Sequence, residues 1–228
     1  MSDKKVILRF WLRETMGLVI IGAALFWGAG TLDWLPAWAV MGIIASWIIA
    51  TYTVIIKNNP DLLAERLGAR KNAKRWDTVI MGIVGVAQLA RYFVAGLDYR
   101  HSWTGTFFPA VQVIALLLCA AGYALVAWAT ASNAYFSQIV RLQPERGHSV
   151  ATGGPYIFVR HPAYTGGILF DMTVPLLLGS WWALIPSGLS AVLFIIRTAL
   201  EDRTLQAELE GYPEYVKKVK YRLLPGVW

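Results

Sequence analysis

Charge is scarce in this sequence. Asp, Glu, Lys and Arg make up 15% of its 228 residues, against about 25% in a soluble domain, and the mean hydropathy is +0.49. That balance excludes an ordinary soluble fold and leaves an integral membrane protein. Cysteine is nearly absent. The single Cys119 lies inside an apolar run, so a disulfide framework and a CxxC metal site are excluded, and the residue reads as a helix-packing group. Histidine is rare as well: His101, His148 and His161 form no HExxH or other close ligand pair, and no metal site is expected. No GxGxxG follows a strand pattern, and no strand and helix units alternate, which excludes a doubly wound nucleotide-binding sheet. The net charge of +7 reflects charge bias between two membrane faces rather than a nucleic-acid partner.

What the chain has instead is long apolar runs. Lys4, Lys5, Arg9 and Arg13 precede a first run at 16–30, with no convincing cleavage site after it, so it reads as a retained span. A turn at Asp33-Trp34-Leu35-Pro36 leads to a second span at 37–56. Residues 57–77 hold NNPDLLAER and the cluster Arg70, Lys71, Lys74, Arg75. They are too polar to cross and read as a solvated positive loop, with a short surface helix after Pro60 as the alternative. The third span, 78–97, contains Gln88 and Arg91, the arginine being expected to snorkel or pair with a helix neighbour. An aromatic turn with an interfacial His101 precedes the fourth span, 111–130, and Gly22, Gly28, Gly42, Gly82, Gly85 and Gly122 suit close helix approach. A short run at 164–179 with Asp171 and Pro175, then 180–200 with Pro186, reads as a returning hairpin.

The fold class is therefore all-α: a polytopic membrane helical bundle of about five to six spans with a C-terminal helical hairpin. Apart from Arg91 and Arg100, every Lys and Arg falls on one face, which puts the N-terminus, residues 133–161 and the C-terminal tail in the cytoplasm. Two parts are expected, N-terminal helices over 1–132 and a functional core over 133–228. Within the latter, residues 152–167 read TGGPYIFVRHPAYTGG, with Arg160 and His161 at a membrane boundary. Arg197 and Glu201 stand four apart, on one helical face. The end of the chain, GYPEYVKKVKYRLLPGVW, is basic and aromatic, suited to lying on the inner membrane surface or covering a site.

The three ordered segments GGPYIFVRHPAYTGG, RTALEDRTL and GYPEYVKKVKYRLLP resemble the isoprenylcysteine carboxyl methyltransferase family, over roughly residue 133 to the end. Membrane methyltransferases of phospholipid head groups and small thiols share this C-terminal pattern. The resemblance implies a cytoplasmic pocket for S-adenosylmethionine lined by His148, Ser149, Val150, Ala151, Tyr156, His161, Pro162, Ala163 and Tyr164. It implies that Glu201 holds the cofactor and Arg197 docks a lipophilic or prenylated acceptor; Asp202 replaces a second glutamate, and Arg141 stands where some relatives have glutamine. In physical terms, Glu201 can accept from an ammonium, His161 or backbone N–H groups near Gly153 and Gly154 can donate, and Tyr156 and Tyr164 can meet a sulfonium or adenine face. Arg197 offers a planar fork to a carboxylate, while Arg160 anchors the turn. Two rivals remain. Sterol-type NADPH reductases carry RHPNYxGE, from which Ala163 and Gly167 depart, and a non-catalytic membrane protein is the other.

Overall fold

The computed structural model describes residues 3–58 and 74–228. All of NNPDLLAER after its first residue, Asn58, and Arg70-Lys71 lie outside those residues, whereas Lys74, Arg75 and Asp77 fall within them. Among the described residues seven α-helices follow in order: α1 Asp3–Ala29, α2 Leu35–Asn58, α3 Arg75–His101, α4 Pro109–Ala131, α5 Pro162–Leu178, α6 Leu184–Glu208 and α7 Tyr212–Lys218. Among the described residues there is no strand. Four segments are long and apolar enough to cross a membrane, Leu35–Thr53, Arg75–His101, Pro109–Ala131 and Leu184–Glu208. Helix α1 has the length but begins among charges, and α5 is only 17 residues long.

The polarity of the bundle is that of a protein solvated by lipid. Val19 on α1, Val86 on α3, Leu117 on α4 and Val192 on α6 point outward, while Thr130, Thr173, Ser187 and Ser190 are buried. With no hydrophobic drive between helices in hydrocarbon, close packing and internal polar bonds must hold them together. Both devices are visible. A Cβ on Gly166 of α5 would lie 2.4 Å from the Gly122 carbonyl oxygen of α4, and one on Gly96 of α3 would lie 2.5 Å from the Leu25 carbonyl oxygen of α1. By contrast Gly42, Gly82 and Gly85, expected to serve the same purpose, meet nothing within 4 Å.

Arg91 does not snorkel but pairs with a helix neighbour, as expected. It is 1% exposed, its Nη1 donates to Asp171 Oδ1 of α5 at 2.6 Å, and its Nη2 donates to Tyr92 at 2.9 Å. Gln88 and Ser190 complete the carboxylate's partners at 3.1 and 2.5 Å, so one acid joins α3, α5 and α6. Asp98 does the same at the far end, accepting from Thr104 and Ser180. Aromatic rings fill the space between, with Tyr123 stacked on Phe170 at 3.9 Å and on Trp47 at 5.2 Å.

Helix α6 positions the chemistry. Its 25 residues rise about 37 Å, more than the roughly 30 Å of a hydrocarbon core. The excess turns carry Arg197, Glu201 and Asp202 beyond the apolar segment.

Candidate functional site

The motif at 160–164 is held from two directions. His161 caps α5 and Pro162 occupies its first turn, a position where a missing N–H costs nothing. Arg160 forks onto Asp202 of α6, Nε to Oδ1 at 2.7 Å and Nη2 to Oδ2 at 2.9 Å, and its Nη1 donates to the carbonyls of Val219 and Lys220. Its partner Asp202 is fully buried and also accepts from Tyr212 and Arg222, each at 2.9 Å, and lies 3.2 Å from His161 Nε2. Burial works against the Arg160 cation, but the bonds to Asp202 raise its pKa above the ordinary value. The tail completes the clamp: backbone N–H groups of Arg160 and His161 donate to the carbonyls of Tyr221 and Arg222, both at 2.9 Å. Arg160 therefore anchors the turn, and the tail covers the motif.

Under this clamp lies a cavity of about 970 Å³, at the upper end of small-molecule pockets. His148, Ser149, Val150, Ala151, Tyr156, His161, Ala163, Tyr164, Arg197 and Glu201 all line it. Pro162 does not; it is buried and fixes the start of α5. Gly153 and Gly154 also fall outside the lining. Gly154 has φ +58°, and a Cβ there would meet the Ser132 hydroxyl at 2.1 Å, so its backbone serves a turn packed on α4 rather than a ligand.

The 133–151 segment is rigidified by its own bonds. Tyr135 donates to the Gly147 carbonyl at 2.8 Å, Gln143 Nε2 to the Tyr135 carbonyl at 2.9 Å, and Arg146 to Gln143 at 2.5 Å. His148 lies against the Tyr135 ring at 4.6 Å. Burial, then the nearby Arg141 and Arg146 cations, push its pKa below the usual histidine value, so the ring is neutral at pH 7. Tyr156 accepts a bond from Asn133 at 3.3 Å, and its carbonyl accepts from Tyr215 at 2.7 Å; burial raises its phenol pKa.

The electrostatics of the cavity are uneven in a useful way. Each arginine that lines it has a carboxylate partner within the protein: Arg13 with Glu14, Arg91 with Asp171, Arg141 with Glu145, Arg160 with Asp202 and Arg197 with Asp77. Glu201 is different. It accepts from the Tyr164 hydroxyl and, among the described residues, forms no ion pair. Its helical neighbour Arg197 turns instead to Asp77 on α3, Nε to Oδ1 at 2.6 Å, and donates through Nη2 to the Gln138 carbonyl at 3.0 Å. The guanidinium lies 5.2 Å from the centre of the Tyr164 ring. The open fork expected of Arg197 is therefore partly spent. Among the described residues its Nη1 makes no hydrogen bond.

Asp77, the carboxylate that holds Arg197, is the residue beside the cavity that sequence reasoning missed. It fell at the edge of a basic stretch read as solvated loop, yet it is fully buried. Asp202 was visible only as a departure from a second glutamate, whereas its shorter side chain is the hub of the clamp.

Residues 100–207 match the family model described as isoprenylcysteine carboxyl methyltransferase. No curated protein sequence matches the chain. The matched residues run from the end of α3 to the last turn of α6 and include every cavity-lining residue of the motif and of the Arg197–Glu201 face. Over these residues, just under half of its length, the chain is similar to the isoprenylcysteine carboxyl methyltransferase family, and it is built as an all-helical membrane bundle.

Proposed function

We propose that this membrane protein binds S-adenosylmethionine in the cavity and transfers its methyl group to a lipophilic acceptor positioned at Arg197. The observation that carries the reading is the Glu201 carboxylate, which forms no ion pair among the described residues, in a cavity whose lining arginines each have a carboxylate partner. Such a site favours a ligand with net positive charge. Bound there, S-adenosylmethionine supplies an electrophilic methyl on a sulfonium and an ammonium for Glu201. A dinucleotide phosphate would bring several negative charges to arginines that each already have a carboxylate partner, which weighs against the reductase reading.

The roles follow from position. Glu201 accepts from the ammonium. The faces of Tyr156 and Tyr164 provide electron-rich wall for a cation. His148 to Ala151, His161 and Ala163 shape the rest of the pocket, and Pro162 fixes the turn that presents them. Methyl transfer is an in-line displacement, so orientation and exclusion of water supply most of the rate; the tail clamp serves both. A carboxylate acceptor needs no general base, and the family makes an isoprenylcysteine-like carboxylate the first acceptor to test. The Lys and Arg bias supports a cytoplasmic N-terminus and site, with the cofactor-facing residues drawn from 133–228.

The test is incubation of membranes carrying the full chain with methyl-labelled cofactor and lipophilic acceptors, followed by base treatment. Base-labile label, released as methanol, is the expected result and identifies a methyl ester. Absence of label from every acceptor, with folded protein present, would overturn the proposal.

A further inference from the structure

Arg197 is not a lone cation waiting for an anion. Asp77, fully buried and absent from the cavity wall, takes its Nε, and the Gln138 carbonyl takes its Nη2. Asp77 is itself fixed: its Oδ2 accepts from the Val140 N–H at 2.8 Å, and the Val140 carbonyl accepts from Lys74 N–H at 3.3 Å. The arrangement ties α3, the 138–140 strap and α6 around one guanidinium, leaving Nη1 for whatever enters the cavity.

We propose that Asp77 is a specificity-determining residue, which sets how strongly the acceptor end of the cavity attracts negative charge. It offsets the charge of Arg197 and occupies the Nε edge of its fork, so an anionic acceptor meets a guanidinium that already has a carboxylate and is oriented by the Nη1 end without the full attraction of an unpaired cation. Loose holding suits a carboxylate that must act as nucleophile, since a carboxylate tightly paired in its ground state loses reactivity. Asp77 touches the acceptor only through Arg197. The inference rests on Arg197 being the acceptor end, and not on the identity of the cofactor.

The test compares two ligands of one shape, an S-prenylated thioacetic acid and its primary amide, binding to the detergent-solubilised full chain by thermal stabilisation. In the wild type the two bind within about threefold of each other, as expected for an arginine that already has a carboxylate partner. Asp77→Asn shifts the ratio about tenfold toward the carboxylate, equivalent to about 1.4 kcal/mol, while Asp77→Glu keeps the wild-type ratio. A purely structural role for Asp77 would weaken both ligands together. An unchanged ratio in Asp77→Asn, or binding of neither ligand, overturns the proposal. Should that variant fail to fold, a wild-type preference of roughly a hundredfold for the carboxylate overturns it alone. Failure of S-adenosylhomocysteine to stabilise the protein would sink the cofactor reading and leave this ratio intact.

Discussion

In the proposed function, two residues four apart on α6 divide the labour of the site, and their partners differ. Arg197 forms its ion pair with Asp77, while Glu201 forms none among the described residues. Glu201→Ala is therefore expected to abolish cofactor binding, whereas Arg197→Ala leaves binding largely intact and removes turnover; isothermal titration with S-adenosylhomocysteine beside an activity assay reads both. Equal loss of cofactor affinity in the two variants contradicts the division. His148 adds a pH dependence. Its folded pKa lies below its unfolded value of about 6.5, so stability is full above that value and falls as pH drops through it toward the folded pKa. A thermal-denaturation series from pH 8 to pH 5 should show a loss that His148→Gln reduces. The motif residues were legible because a cation and a histidine at a membrane edge are costly without a task. Asp77 was not, because an acid beside a basic cluster has an ordinary solvated explanation, and only the fold reveals a partner 120 positions away.

The elements that hold the site depend on contacts of two kinds. Where α4 and α5 touch backbone to backbone, Gly166→Ala should lower the melting temperature in detergent, since the new Cβ meets a carbonyl oxygen that cannot move away cheaply. Gly42→Ala, with open space around it, should be neutral or slightly stabilising through helix propensity. The polar contacts behave differently. Removing Asp171 by Asp171→Leu strands the buried Arg91 cation and should cost about 3–5 kcal/mol, while the double change with Arg91→Met should recover much of the loss. A deficit in the double variant equal to the sum of the single ones would show that the two residues are not coupled and would contradict the ion pair's role. The spans were legible at their centres from apolar runs, but not at their ends. The structure extends α6 to Glu208 where the apolar run stops near residue 200, because Asp202 and its partners stabilise turns that hydropathy does not register. Glycine spacing alone did not separate Gly122, which packs, from Gly82, which does not.

At the scale of the whole molecule, the tail returns to close over the motif, and α3, α4, α5 and α6 surround a cavity that reaches from the clamp to Asp171 in the bundle interior. By the order of spans in the sequence, nearly all the basic residues are expected on one membrane face. Cysteines placed at Glu214 and Thr106, both exposed, should react with a membrane-impermeant maleimide from opposite sides in oriented vesicles, Glu214→Cys from the cytoplasmic side; reaction of both from one side would contradict the topology. The native Cys119 is buried and should remain silent. The central claim concerns the cavity's charge and what it selects. Its most direct measurement is thermal stabilisation of the detergent-solubilised full chain by S-adenosylhomocysteine compared with NADPH. At 100 times its dissociation constant the former should add about 2.7 kcal/mol to stability, with no gain from NADPH; stabilisation by NADPH alone would contradict the account.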